Sequence, residues 1–189
     1  MRIVGGRFKG RALVAPKGRT TRPTAERARE AVFIIVAHAD WAPPLVGARV
    51  IDGFAGSGAL GFEALSRGAA FCLFVETDTA ARGAIRATVE SLGLYGATRI
   101  HRRSAVDLGA KPAGLGAGFT LALLDPPYGR DLAPKTAALL ASGGWLAADA
   151  LLVWESSVEE NQTLDGWSLR DERDYGAARF GFWRRVEQA

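Results

Sequence analysis

Three short stretches of the 189-residue chain combine residue types and spacings that suit chemistry. The first is Asp52-Gly-Phe-Ala-Gly-Ser-Gly-Ala-Leu-Gly61, in which Gly56, Gly58 and Gly61 satisfy G-x-G-x-x-G and Asp52, Gly53 and Ala55 lead into them. Glycines let a backbone approach a ligand closely, and a helix that starts there presents free N–H groups. The second is Glu76, 20 residues after Gly56. An acidic side chain at that strand end can accept hydrogen bonds from two ribose hydroxyls. The pair points to a nucleoside-containing cofactor, and nicotinamide and flavin groups fit it too. The third is Asp125-Pro-Pro-Tyr128, directly after the very apolar Leu121–Leu124. A proline-rich turn would explain Pro126 and Pro127, but not the Asp and the aromatic ring flanking them. A planar amine needs an acceptor for its N–H and a surface for its ring. Asp125 and the Pro126 carbonyl can accept those hydrogen bonds, and Tyr128 can stack on a base. Hydride transfer needs no such set.

These residues need elements to hold them. Arg49–Phe54, Phe71–Glu76, Thr98–Arg102, Phe119–Leu124 and Ala150–Glu155 read as short apolar strands. Ala59–Arg67, Thr79–Leu92 and Pro134–Ala141 read as helices, punctuated by Gly68, Gly93 and Gly143-Gly144. Trp167–Asp174 and Ala178–Val186 read as a closing antiparallel pair. Such alternation implies an α/β fold with a mostly parallel sheet covered on both faces. Ligands then bind outside the carboxyl ends of the strands, where all three stretches fall. Ahead of this body, Arg2–Val14, broken by Gly5, Gly6 and Gly10, reads as a β-hairpin. Thr24 suits the N-cap of a helix over Arg27–His38, with an apolar stripe at Ala28, Ala31, Val32, Ile35 and Val36. The expected organisation is a basic hairpin extension over residues 1–23 and a catalytic domain over 24–189.

Composition narrows the class. Hydrophobic residues make up 48% of the chain, enough for a sizeable core. A single Cys excludes an internal disulfide and a Cys-based zinc site, and His38 and His101 lack ligand spacing, so no metal is expected. No apolar run approaches the roughly 18 residues of a membrane span, and the start MRIVGGRFKGR lacks the apolar region of a signal peptide. The expectation is a soluble cytoplasmic protein, and nothing demands more than a monomer. The net charge of +4 is unevenly spread. Residues 1–30 hold nine basic and two acidic residues, a net +7, against 15 basic and 18 acidic in the remainder, a net −3. That asymmetry suggests a polyanion partner.

At this point the chain resembles a known group. Asp-Pro-Pro-Tyr after the fourth strand, with a Gly-rich first loop, resembles the class I S-adenosylmethionine-dependent methyltransferases that modify planar amino groups. Residues 52–63 look like their first motif, and Phe-Val-Glu-Thr-Asp (74–78) like their second. Ile3-Val-Gly-Gly-Arg7, Gly10-Arg11, Arg22-Pro-Thr-Ala-Glu-Arg-Ala-Arg-Glu30, Ala64-Leu-Ser-Arg-Gly68 and Gly143-Gly-Trp-Leu146 resemble the RsmD family. The resemblance covers nearly the whole chain. It departs at Ile34, where family members often carry Asn, and at Ser104 before Ala105, where Asp or Asn is common.

The resemblance implies a Rossmann-like fold with a mostly parallel seven-stranded sheet. It also implies methylation of guanine N2 in small-subunit (16S) rRNA, at guanine 966, free or within a ribosomal subunit. Asp52, Gly53, Ala55, Gly56 and Gly58 would shape the loop around the methionine and ribose of S-adenosylmethionine. Glu76 would hold the ribose, with Ser104 and Ala105 on the adenine side and Asp107 a substitute there. Asp125, Pro126, Pro127 and Tyr128 would serve the reacting amine. Arg7, Lys9, Arg11, Arg22, Thr24, Arg27 and Arg29 would meet RNA, the alternative for Arg27 and Arg29 being pairing with Glu26, Glu30 or the cofactor carboxylate. Adenine N6 or a protein glutamine amide would suit the same Asp-Pro-Pro-Tyr loop. A dinucleotide oxidoreductase and a non-catalytic RNA-binding module are the readings outside this class.

Overall fold

Apolar strands alternate with helices along the chain, and the computed structural model, which describes residues 1–15 and 23–186, shows why. In chain order the elements are α1 (Pro23–His38), β1 (Arg49–Asp52), α2 (Ala59–Ser66), β2 (Phe71–Val75), α3 (Thr79–Leu92), β3 (Thr98–His101), β4 (Phe119–Leu124), α4 (Leu132–Ser142), β5 (Leu146–Ser157), β6 (Trp167–Tyr175) and β7 (Ala178–Arg185). The strands form one seven-stranded sheet in the order β3-β2-β1-β4-β5-β7-β6. The first five pair in parallel, while β7 runs antiparallel to both β5 and β6. The sheet is the mostly parallel, Rossmann-like one expected from the sequence. Its strand order reverses between β1 and β4, so the crevice at their carboxyl ends is where such a sheet admits a ligand.

Period-two alternation divides the central strands between two cores. Val50, Leu121, Leu123, Leu151 and Val153 face α1, α2 and α3. Ile51, Ala122, Leu124, Leu152 and Trp154 face α4 and Trp145. Among the described residues no helix is long and apolar enough to cross a membrane.

Three elements differ from the sequence expectation. Helix α1 starts at Pro23, a residue whose fixed φ suits the first turn. Thr24 therefore lies inside the helix and is not its N-cap. Strand β5 starts at Leu146 rather than Ala150, because an irregularity lets Phe119 pair with Leu146 and Leu121 with Leu151. The N-terminal segment doubles back as a hairpin does, but it has a single bridge, Arg2 with Ala12, instead of regular strands. Backbone bonds still cross it, from Ile3 N–H to the Arg11 carbonyl and from Leu13 N–H to the Met1 carbonyl, each at 3.0 Å, while donors between them go to α2: Arg7 N–H to the Ser66 carbonyl at 2.8 Å, Phe8 N–H to Ser66 Oγ at 2.9 Å, and Val4 N–H to Glu63 Oε2 at 3.0 Å. Gly6 makes this possible, since its φ is +73° and a Cβ there would lie 2.0 Å from the Ser66 carbonyl oxygen. Ile3 and Leu13 are buried in the same core as Phe62 and Leu65.

Glu63 is fully buried at the centre of this junction. Arg67 Nε donates to its Oε1 at 2.8 Å, and Arg29 Nε lies 3.5 Å from its Oε2. Arg29 also donates to the Arg2 carbonyl at 2.6 Å, so one carboxylate joins the N-terminal segment, α1 and α2. Arg29 is 5% exposed. The apolar stripe on α1 is rotated to match, with Ala28, Val32, Phe33 and Val36 buried and Ile35 only partly so. Replacing Glu63 with Ala leaves two guanidinium groups poorly compensated and should destabilise the protein by about 3–5 kcal/mol. Urea unfolding would measure this, and a loss below about 1 kcal/mol would refute the linchpin role.

Candidate active site

The carboxyl ends of β1, β2, β4 and β5 open into one cleft of about 890 Å³. That volume suits a small-molecule site. The loop after β1 forms its floor. Gly53 N–H donates to the Leu123 carbonyl (2.8 Å) and Ala55 N–H to the Val75 carbonyl (3.1 Å), which pins the loop to both neighbouring strands. Gly58 stands at the head of α2 with φ +79°, a left-handed conformation that favours glycine. One turn on, Gly61 N–H donates to Asp52 Oδ2 at 3.0 Å.

Glu76 closes the other wall. Its Oε2 accepts from Gly56 N–H and its Oε1 from Asp78 N–H, each at 2.7 Å. A carboxylate oxygen has two acceptor positions, so this clamp fixes the side chain and leaves capacity for further donors.

Register and alternation then set three acids along one side of the sheet. Asp52 pairs with Leu123 across β1 and β4, and Leu124 with Trp154 across β4 and β5. Asp52, Asp125 and Glu155 therefore follow the residues of the α1 face at the ends of adjacent strands. Burial pushes Asp52 up to about 7, despite the Gly61 hydrogen bond, and Asp125 and Glu76 add repulsion. Asp52 Oδ1 is buried with no hydrogen-bond partner among the described residues. Burial and Asp125 likewise push Glu155 up to about 8, while the Tyr128 hydroxyl and Arg29 act against the shift. Tyr128 donates to Glu155 Oε1 at 3.1 Å. Burial and the surrounding carboxylates push its phenol above the ordinary value.

Most residues singled out from the sequence line this cleft: Asp52, Gly53, Ala55, Gly56, Glu76, Ser104, Ala105 and Asp125 through Tyr128. Gly58 shapes the loop from beneath, and Asp107 is exposed and not part of the lining. The basic residues divide. Arg7, Lys9, Arg11 and Arg27 are exposed, with Arg7 over the Phe8 ring and Arg11 donating to the Ser91 carbonyl. Arg29 is a correction to the expected RNA face: it is interior, held by Glu63, and touches the cleft wall instead of a phosphate-bearing surface. Arg22 and the side chain of Thr24 lie outside the described residues. The sequence reading missed Glu155, Arg103 and Met1 as cleft residues. Met1 reaches the floor, where Ser57 Oγ lies 3.6 Å from its Sδ.

Both raised acids carry a stability signature. Unfolded, Asp52 and Glu155 release their protons near pH 4, whereas folded they hold them to about pH 7 and 8. At these two groups the folded state binds more protons across that window, so their contribution to stability is greatest in mild acid and falls as pH rises from about 4 to 8. Asp52→Asn keeps an oxygen for Gly61 N–H but removes the titration. Its urea midpoint should change less between pH 5 and pH 8 than the parent's, and at pH 8 the variant should be the more stable. An unchanged pH slope would exonerate Asp52.

Comparison with known proteins agrees with this geometry. A family model described as Conserved hypothetical protein 95 matches residues 1–184. The chain is 37% identical over 191 aligned residues to ribosomal RNA small subunit methyltransferase D of Escherichia coli, covering 100% of this chain and 91% of that one. The solved structure of the yhhF methyltransferase candidate from Escherichia coli superimposes with a TM-score of 0.82 at 35% identity, covering 100% and 99% of the two chains. A more distant structure shares the fold: magnesium protoporphyrin IX methyltransferase from Synechocystis, solved with bound S-adenosylmethionine, has a TM-score of 0.60 at 17% identity over 89% and 87% of the chains. With its sheet order, its glycine loop and its Asp-Pro-Pro-Tyr turn all in place, the chain belongs to the ribosomal RNA small subunit methyltransferase D (RsmD) family.

Proposed function

We propose that this protein transfers a methyl group from S-adenosylmethionine to the exocyclic N2 amine of a guanine in 16S rRNA. The observation that carries the reading is that the Asp125–Tyr128 turn opens into the same cleft as Glu76 and the glycine loop. The named function of the full-length Escherichia coli relative supports the RNA substrate.

The cleft fits the cofactor. Glu76 is clamped with spare acceptor capacity, and buried Asp52 Oδ1 has no donor among the described residues. A cationic sulfur beside Asp52 would favour the ionised form of that carboxyl by simple Coulomb attraction. Glu76 would hold the ribose, the loop from Asp52 to Gly58 the methionine side, and Ser104 and Ala105 the adenine side. Bound S-adenosylmethionine supplies an electrophilic methyl group on a positively charged sulfur.

The chain's own task is to present the amine. The N2 lone pair of guanine is delocalised into its ring, which makes it a poor nucleophile. Asp125 and the Pro126 carbonyl, accepting from the amine, would favour a pyramidal nitrogen and aim its lone pair into the cleft. Such positioning and fixed electrostatics are the main sources of rate here. The base must leave its stack to enter. Tyr128, 45% exposed, offers a replacement surface worth roughly 1–3 kcal/mol. Residues 1–23 form the RNA-gripping extension in this reading, with residues 24–189 as the catalytic domain. Arg7, Lys9, Arg11 and Arg27, all exposed, would meet RNA phosphates.

Asp125→Ala should lower methyl transfer to 16S rRNA roughly 10²–10³-fold, as loss of one aligned polar group does elsewhere. Calorimetry should show cofactor binding nearly unchanged. Full activity would remove Asp125 from the reaction, and a product mapped to adenine or to protein would replace the guanine reading. Replacing Arg7 and Lys9 together with Ala should flatten the salt dependence of RNA binding by about one to two units in the log–log slope. An unchanged slope would place RNA elsewhere.

A further inference from the structure

Glu155 lines the cleft yet has no part in holding the cofactor or the amine. Leu124 and Trp154 are register partners, so Asp125 and Glu155 follow as neighbours on adjacent parallel strands. Such strands lie about 4.8 Å apart, with paired side chains on the same face. Glu155 is partly buried, and its Oε1 accepts the Tyr128 hydroxyl at 3.1 Å. A carboxylate has further acceptor positions beside that one. The surrounding charged and titratable groups are Asp125, Tyr128 and Arg29.

The bond from Tyr128 to Glu155 ties the stacking ring to the neighbouring strand. A base lying on Tyr128 with its amine at Asp125 can turn the next atom of its edge toward that strand. In guanine this atom is N1, which bears a hydrogen. In adenine and in 2-aminopurine the ring N1 is a bare acceptor. An ionised carboxylate accepts and cannot donate, so it attracts the first edge and repels the others. We propose that Glu155 is the specificity-determining residue of this site, accepting the N1–H of guanine beside the amine held by Asp125. The proposal rests on the guanine N2 reading and adds how the base is chosen. Two adjacent acceptors facing two adjacent donors also explain why the fold tolerates Asp125 and Glu155 side by side, since an N–H donor offsets the repulsion and burial that hold Glu155 in its protonated form.

The test compares two RNA substrates at pH 9, above the value of about 8 to which Glu155 is pushed: one with the target guanine and one with 2-aminopurine in its place. 2-Aminopurine keeps the 2-amino group and lacks N1–H. The parent protein should favour guanine by about tenfold or more in kcat/KM, the worth of one hydrogen bond to a charged group. Glu155→Gln, whose amide can donate as well as accept, should bring that ratio to within about threefold while cofactor binding stays as in the parent. Equal use of the two substrates by the parent overturns the proposal even if the variant fails to fold. An unchanged ratio in a folded Glu155→Gln also overturns it, leaving Glu155 a merely structural partner of Tyr128. Absence of N2-methylguanine from the parent's reaction with unmodified 16S rRNA overturns the guanine reading itself, and is seen before any analogue is used.

Discussion

Glu63 has no contact with solvent, and a carboxylate in that position is stable only while it is compensated. Its compensation comes from three directions: the Val4 N–H of the N-terminal segment, Arg29 of α1 and Arg67 at the end of α2. Removing any of these elements would strand a charge in the interior. The N-terminal segment therefore behaves as part of the core, as its buried Ile3 and Leu13 require. The same helix that carries Glu63 begins at the glycine loop, and its first turn donates to Asp52. Fixing α2 from behind thus fixes the cleft floor in front.

At the strand ends the priorities reverse. Asp52, Asp125 and Glu155 occupy neighbouring strands, where burial and mutual repulsion raise Asp52 and Glu155. A sequence selected for stability alone would not set three acids there. Local rules are broken where a ligand supplies what the protein withholds. The missing partners are donors and positive charge, and the proposed pair of ligands brings both: a sulfonium, and a base edge rich in N–H groups. Asp52 Oδ1, buried without a donor among the described residues, is the same statement made by one atom.

Much of this was legible in the sequence, for identifiable reasons. Apolar runs such as Leu121–Leu124 announce buried parallel strands, and chemistry placed at their ends needs no knowledge of the strand order. The glycine loop, Glu76 and the Asp-Pro-Pro-Tyr turn were found on that basis. Glu155 was not, because it gains meaning only when β4 and β5 are neighbours with Leu124 opposite Trp154. Glu63 resembles any solvated helical glutamate until Arg29 and Arg67 are seen to converge on it. Arg29 misled for the complementary reason: counting charge cannot separate a guanidinium facing solvent from one facing a buried acid. The hairpin is legible in its reversal but not in its docking, since which donors α2 takes is a tertiary matter.

The same correction changes how the basic head must work. Its net +7 suggested a broad electrostatic grip. Yet Arg29 is spent on Glu63, Arg2 on Glu26 at 3.1 Å, and Arg11 leans on the Ser91 carbonyl. Each phosphate contact contributes roughly one unit of salt slope, so a head with part of its charge engaged internally holds RNA less tightly than its composition implies. Phosphate contacts position a nucleic acid but do not read it. In the proposed function discrimination then comes from the cleft, where the extruded base would meet Tyr128, Asp125 and the neighbouring Glu155. Because Arg29 both anchors the head and touches the cleft wall, the two share one frame, and in the proposed function the head would set where the RNA backbone lies relative to the pocket that receives the base.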